Sequence, residues 1–180
     1  RSGDMNLLLG VTGGIAAYKA AEVVSAAVKA GHEVRVVMTE NAQRFVGPAT
    51  FEGLSGHPVM TNNFDDAMAH ITAAKWADAV LVAPLTANTL AKLAMGLADD
   101  ALTTVLMAVP AGTPVLLAPA MNTAMWSHPV TQRNLGWLEA LGRYTLISPV
   151  SKRLACGDVG PGGLAEVSDL LTAVEELNVG

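Results

Sequence analysis

The feature that most constrains this chain is a grammar repeated along it. A short, almost uninterrupted apolar run is followed by a few small or polar residues, and then by apolar side chains at helical spacing. "NLLLGV" enters "TGG" and then "IAAYKAAEVVSAAVKAG", where Ile15, Ala20, Val23, Val24, Ala27 and Val28 recur at that spacing until Gly31. "EVRVVM" alternates as a strand, "DAVLVAP" precedes "TANTLAKLAMGLA", and "TPVLLAPAM" precedes a helical stretch around "PVTQRNLGWLEALG". "YTLIS" is the last predicted strand, and "FEGLSGHPVMTNNF" is expected to hold a short helix and an edge strand. Strands apolar on both faces, separated by helices, predict an α/β fold with a parallel sheet covered on each side.

The 180 residues suit one domain, expected over residues 5–180, with 1–4 ("RSGD") read as an expression-tag remnant. Hydrophobic residues at 51% and charged residues at 15% argue against disorder, while the apolar runs are too often broken to span a bilayer. A net charge of -5 without a cluster of Lys or Arg leaves no footprint for nucleic acid or an anionic membrane, so a small-molecule partner is expected. A single cysteine forms no internal disulfide, and no secretory leader is visible, so a cytoplasmic location is expected.

In such a sheet, ligands gather at the carboxyl ends of the strands. Those ends carry Thr12, Gly13 and Gly14, then Thr39, Glu40 and Asn41, then Pro84, Thr86, Asn88 and Thr89, then Pro119, Met121 and Asn122. Small hydroxyl and amide groups with few charges suit a neutral, planar heterocycle with a phosphate tail. The "GVTGGIAAYK" turn either holds a phosphate on its N–H groups or is a glycine turn needed for close packing; it is neither G-x-G-x-x-G nor a P-loop. Glu40 could meet a ribose, or Thr39 a phosphate. Thr86 reads first as a helix cap. Met121, Met125 and Trp126 read first as core filling, with Asn122 between them as a possible substrate clamp. His32, His57 and His128 stand in apparent turns and read as solvated, whereas His70 lies on a helical segment and is the first candidate for proton transfer. Cys156 sits in "LACGDVGPGG", a glycine-rich loop that could close over a ligand. No zinc site is expected, for want of a second cysteine or a histidine pair at ligand spacing, and no metal is expected at all.

Together these segments resemble the flavin-dependent cysteine decarboxylases over nearly the whole chain from Met5. "VTGGIAAYK" is similar to that family's flavin loop, "HITAAKWAD" to the segment with its active-site histidine (His70), and "PLTANT" to its PASANT motif, with Leu85 and Thr86 in place of Ala and Ser. "PAMNTAMW" fits its PxMNxxMW substrate motif, and "ACGD" its flap with the catalytic cysteine, Cys156. After that cysteine the family often reads G-x-G-R-M, but here "GPGGLAE" places Gly163 where arginine is expected.

The resemblance implies a Rossmann-like, flavodoxin-like three-layer sandwich with a C-terminal substrate flap. It also implies FMN, held around Gly13, Gly14, Ile15, Thr39, Phe45, Pro84, Thr86, Asn88, Thr89 and Met121. Substrate would meet Asn122, Met125, Trp126, Ala155, Gly157 and Asp158, with His70, Asn122 and Cys156 catalytic. The implied reaction is decarboxylation of 4'-phosphopantothenoylcysteine in coenzyme A biosynthesis, by thiol oxidation to a thioaldehyde, loss of CO2 and reduction of the ene-thiol. A homo-oligomer, trimer or dodecamer, with the site between subunits is implied as well. The alternatives are a peptidyl-cysteine decarboxylase acting on a precursor peptide, a related flavin prenyltransferase, and a non-catalytic flavin-binding regulatory subunit.

Overall fold

The computed structural model describes residues 3–62, 66 and 68–177. Residues 1 and 2 of the predicted tag, the last three positions, and Asn63 and Phe64 of the predicted edge-strand region lie outside them.

Strand β1 (Asn6–Val11) leads through the glycine turn into α1 (Ala17–Lys29), β2 (Glu33–Met38) and α2 (Pro48–Ser55). Pro48 opens α2 and Gly56 closes it in the left-handed conformation at φ 74°, which glycine adopts without Cβ strain. Next come α3 (Ala69–Trp76), β3 (Ala79–Leu85), α4 (Ala87–Met95) and α5 (Ala101–Ala108). They are followed by β4 (Val115–Pro119), α6 (Thr123–Ser127), α7 (Pro129–Ala140) and β5 (Tyr144–Leu146). The hairpin β6 (Val150–Arg153) and β7 (Val159–Gly163) precedes α8 (Val167–Glu176).

Strands β1 to β5 form one parallel sheet in the order β2-β1-β3-β4-β5. The apolar runs divide between its two faces by the period of two that a strand imposes. Leu7, Leu9, Val36, Leu81 and Leu116 pack with α1, α2 and α8, while Leu8, Val37, Val80, Val82 and Leu117 pack with α3, α5 and α7. This is the three-layer α/β sandwich the sequence predicts.

The structure departs from the sequence reading in four places. Among the described residues, only Met60, bridged to Val37, represents the predicted edge strand. Helices α5 and α8 were not anticipated; α5 opens with a reciprocal capping box between Asp100 and Thr103. The loop around Cys156 is the tip of an antiparallel hairpin rather than an irregular segment. His32 is buried, not solvated: Met5 N–H donates to its Nδ1 at 3.2 Å, and its Nε2 meets Glu175 Oε1 of α8 at 3.1 Å. His57 is likewise half-buried against Glu33 at 2.8 Å, and the exposed His128 caps α7.

Candidate active site

Helices leave the sheet in opposite directions on either side of the boundary between β1 and β3, and crevices form where strand order reverses in this way. A cleft of about 810 Å3 opens there, at the carboxyl ends of β1, β3 and β4, with the β6–β7 hairpin as its outer wall. That volume lies within the roughly 300–1,000 Å3 usual for small-molecule sites.

One half of the cleft is built from backbone. Thr12 is fully buried; its hydroxyl donates to Pro84 O at 2.7 Å and accepts from Thr86 N at 2.9 Å, tying the turn after β1 to the turn after β3. Gly13 follows because a Cβ there would stand 2.5 Å from Asn41 Cβ. Among the described residues, no group accepts from the N–H groups of Gly13, Ile15 and Ala16, and α1 has no side-chain cap. Unused donors at a helix N-terminus form an anion cradle. Thr39 accepts from Ala42 N at 3.2 Å, and Thr86 caps α4 by accepting from Thr89 N at 3.3 Å. Thr89 is only 2% exposed, yet no described residue bonds its hydroxyl. Such an orphaned buried hydroxyl on a cleft wall calls for an outside partner. Asn88, Phe45, Ile15 and Met121 complete this half, Phe45 and Ile15 with large exposed apolar surfaces. These groups fit a phosphate-tailed planar ring.

The other half is built from side chains. Asn122 Oδ1 accepts from Met125 N at 2.8 Å as the cap of α6, which fixes the amide and leaves both its NH2 donors for a ligand. Met125, Ala155 and Cys156 line the same space. The hairpin is docked at its base, with Met121 N donating to Gly162 O at 2.8 Å and Thr123 Oγ1 to Pro161 O at 2.8 Å. Its tip is closed by Leu154 N to Asp158 O at 2.8 Å and Gly157 N to Leu154 O at 2.9 Å. Cys156 is exposed, its Sγ 3.5 Å from Asp158 Oδ2.

Five predicted residues do not line the cleft. Pro84 is buried in β3 and contributes its carbonyl to the Thr12 latch. Trp126 packs half-buried against the core on the α7 side, the role its residue type favours by default. Gly157 and Asp158 form the far side of the hairpin tip, where Gly157 takes φ 92° and Asp158 faces the thiol. His70 is half-buried near the start of α3 and does not line the Cys156 cleft of its own chain.

Sequence reading placed Thr12 at the end of β1 without its linking role, and missed Lys19 and Lys152. Lys19 stands in the first turn of α1, directly after the glycine turn, a position that could have flagged it. Lys152 alternates with Val150 on a strand that was not recognised. Burial, and the neighbouring Lys19 amine, push the Lys152 ammonium below the ordinary lysine range. Lys92, by contrast, is raised by its bond to Asp99, which lies 2.9 Å away. Among the described residues no group of three or more His, Cys, Asp or Glu is placed to hold a metal ion, and no helix is long and apolar enough to cross a membrane.

The family model described as Flavoprotein matches residues 1–178, and the chain belongs to that family. It is 49% identical over 177 residues to the Coenzyme A biosynthesis bifunctional protein CoaBC of Bacillus subtilis, covering 96% of this chain but only 43% of that protein. It is 47% identical to the "Probable phosphopantothenoylcysteine decarboxylase" of Streptococcus mutans, covering 94% of this chain and 97% of that one. Among solved structures, a PPC decarboxylase mutant complexed with pantothenoylaminoethenethiol superposes with a TM-score of 0.86 at 36% identity, covering 98% of this chain and 100% of the other. The FMN binding protein AtHal3 does so with a TM-score of 0.83 at 36% identity, covering 98% and 97%.

Proposed function

We propose that this chain is a single FMN-dependent domain that decarboxylates 4'-phosphopantothenoylcysteine to 4'-phosphopantetheine. One observation carries the reading: the only thiol stands on a hairpin tip over the same cleft as a free N–H cradle and an orphaned buried hydroxyl. The similarity to a phosphopantothenoylcysteine decarboxylase over nearly the full length of both chains supports the substrate. The similarity to an FMN binding protein supports the cofactor.

In this reading the Gly13, Ile15 and Ala16 N–H groups take the FMN phosphate at the positive end of α1. Phe45 and Ile15 flank the ring, with Thr89 and Asn88 offering hydrogen bonds. The chemistry that bound FMN supplies is reversible two-electron acceptance, so that the substrate thiol becomes a thioaldehyde, its C=S group receives the electrons left by departing CO2, and the ene-thiol is reduced at the end.

Asn122 directs its NH2 at the substrate carboxylate or amide, adding donors without charge. Cys156 would give its thiol proton to the ene-thiol carbon that CO2 has left, the neighbouring sulfur-bearing carbon taking the hydride, because the hairpin encloses substrate before that step and keeps water out. His70 orients the carboxylate or takes a proton in the first half of the cycle. Its absence from the lining of the Cys156 cleft favours a site completed by His70 from a second copy in a homo-oligomer. A cytoplasmic setting is consistent with this activity.

The test is incubation with 4'-phosphopantothenoylcysteine and, separately, with a cysteine-terminated peptide, followed by mass analysis. Loss of CO2 alone from the small thiol supports the reading. Loss of CO2 plus two hydrogens from the peptide replaces it with the peptidyl-cysteine alternative.

A further inference from the structure

Lys19 of α1 and Lys152 of β6 both line the cleft, and their amines lie side by side. Among the described residues neither is paired with a carboxylate, whereas Lys92, the third lysine on the cleft, is held by Asp99 and Asp100. Glu166 favours the Lys152 ammonium only through its field, and burial together with the Lys19 amine outweighs it. Two cations held together without a counter-charge are disfavoured, and a dianion seated between them relieves that cost.

The geometry around Gly163 shows why this pair exists. A Cβ at position 163 would lie 2.5 Å from Lys152 Cε and 2.8 Å from its Cγ, so the lysine stem occupies the space any side chain there would need. Lys152 donates one N–H to Leu164 O at 2.9 Å, which fixes the ammonium and leaves its other donors for a ligand. Lys152 and an arginine at position 163 are thus mutually exclusive where Lys152 now stands.

Resting on the function proposed above, we infer that Lys19 and Lys152 bind the terminal phosphomonoester of the substrate, Lys152 taking over from the arginine that Gly163 replaces. The same chemistry could serve the FMN phosphate. The free N–H cradle at the start of α1 already provides for that group, so the pair is assigned to substrate.

The experiment uses the FMN-loaded protein with Lys152→Met, Lys19→Met and Lys152→Arg. It compares kcat/KM for 4'-phosphopantothenoylcysteine with kcat/KM for pantothenoylcysteine, and measures flavin content. Each Met variant should lower the ratio of the two constants about tenfold or more, through KM, as expected for loss of a charge-assisted hydrogen bond, and Lys152→Arg should largely preserve it. Equal losses on both substrates would overturn the inference, leaving Lys152 as a strut for the hairpin. Loss of flavin at an unchanged ratio would overturn it too, assigning the pair to the cofactor. Should the wild type turn over neither compound, the proposed function fails by itself. Calorimetric binding of 4'-phosphopantetheine against pantetheine then decides the inference: a phosphate preference lost in the Met variants upholds it, and its absence in the wild type refutes it.

Discussion

The Thr12 hydroxyl donates to the carbonyl oxygen of Pro84 at 2.7 Å and so joins the turns after β1 and β3, although 72 residues separate the two in sequence. The Thr12 hydroxyl oxygen in turn accepts from Thr86 N at 2.9 Å. Replacing it with the isosteric Thr12→Val leaves buried polar groups short of a partner, at a cost of about 1–3 kcal/mol. Urea unfolding of the flavin-free protein should register that loss, with faster FMN release from the loaded one. Thr12→Ser should restore both.

Cys156→Ser would remove the proton donor proposed for the final step and change little else in the cleft. CO2 should still be released, with the oxidised ene-thiol accumulating, as mass spectrometry of quenched mixtures would reveal. Normal amounts of reduced thiol from this variant would end the assignment of Cys156 as the acid.

His70→Asn should retain flavin and lose decarboxylation. Because His70 does not line the cleft of its own chain, co-expressing His70→Asn with Cys156→Ser should, if a second copy supplies it, produce mixed assemblies with some intact sites. Partial recovery of 4'-phosphopantetheine formation is the expected readout, and none should follow when both changes share one chain.

Gly162 adopts φ 123°, and a Cβ there would be driven into the Met121 carbonyl oxygen. Gly162→Ala should therefore loosen the hairpin base and destabilise the fold by about 1–3 kcal/mol, as expected of a strained backbone site. Faster hydrogen exchange at Met121 N–H, which bonds Gly162 O, would locate the damage.

The preference for a phosphorylated substrate should depend on pH. Lys152 sits below the ordinary value of 10.5 because of burial and Lys19, partly offset by Glu166. Its ammonium, and with it the phosphate contact, is present at low pH and lost as pH rises through that lowered pKa. On the acid side the phosphate falls to a monoanion near pH ~6. The ratio of kcat/KM for the two substrates should thus be bell-shaped, with an alkaline limb that moves upward in Lys152→Arg.

The layered sheet was legible because strands covered on both faces are written as unbroken apolar runs, and Leu7 to Val11 or Ala79 to Leu85 can hardly be read otherwise. The glycine turn, Thr86 and Cys156 were visible through residue type and spacing. Thr12 and the Lys19–Lys152 pair were not, because their meaning lies in contacts between segments far apart in the chain, and local patterning carries no record of them. His32 misled for a related reason: its turn is local, while the helix that buries it arrives from the C-terminal end. The hairpin escaped notice because its second strand, "VGPGG", has almost no strand-forming residues and is held by docking instead.

The unequal construction of the cleft bears on how such a protein can diverge. Main-chain amides need no side chain of their own, so beyond Thr12 and Gly13 the cofactor end can drift in the letters that surround it. If selectivity at the opposite end resides in a few replaceable lysines, amides and thioethers, as proposed, a lineage could acquire a new substrate there while its redox machinery stays unaltered.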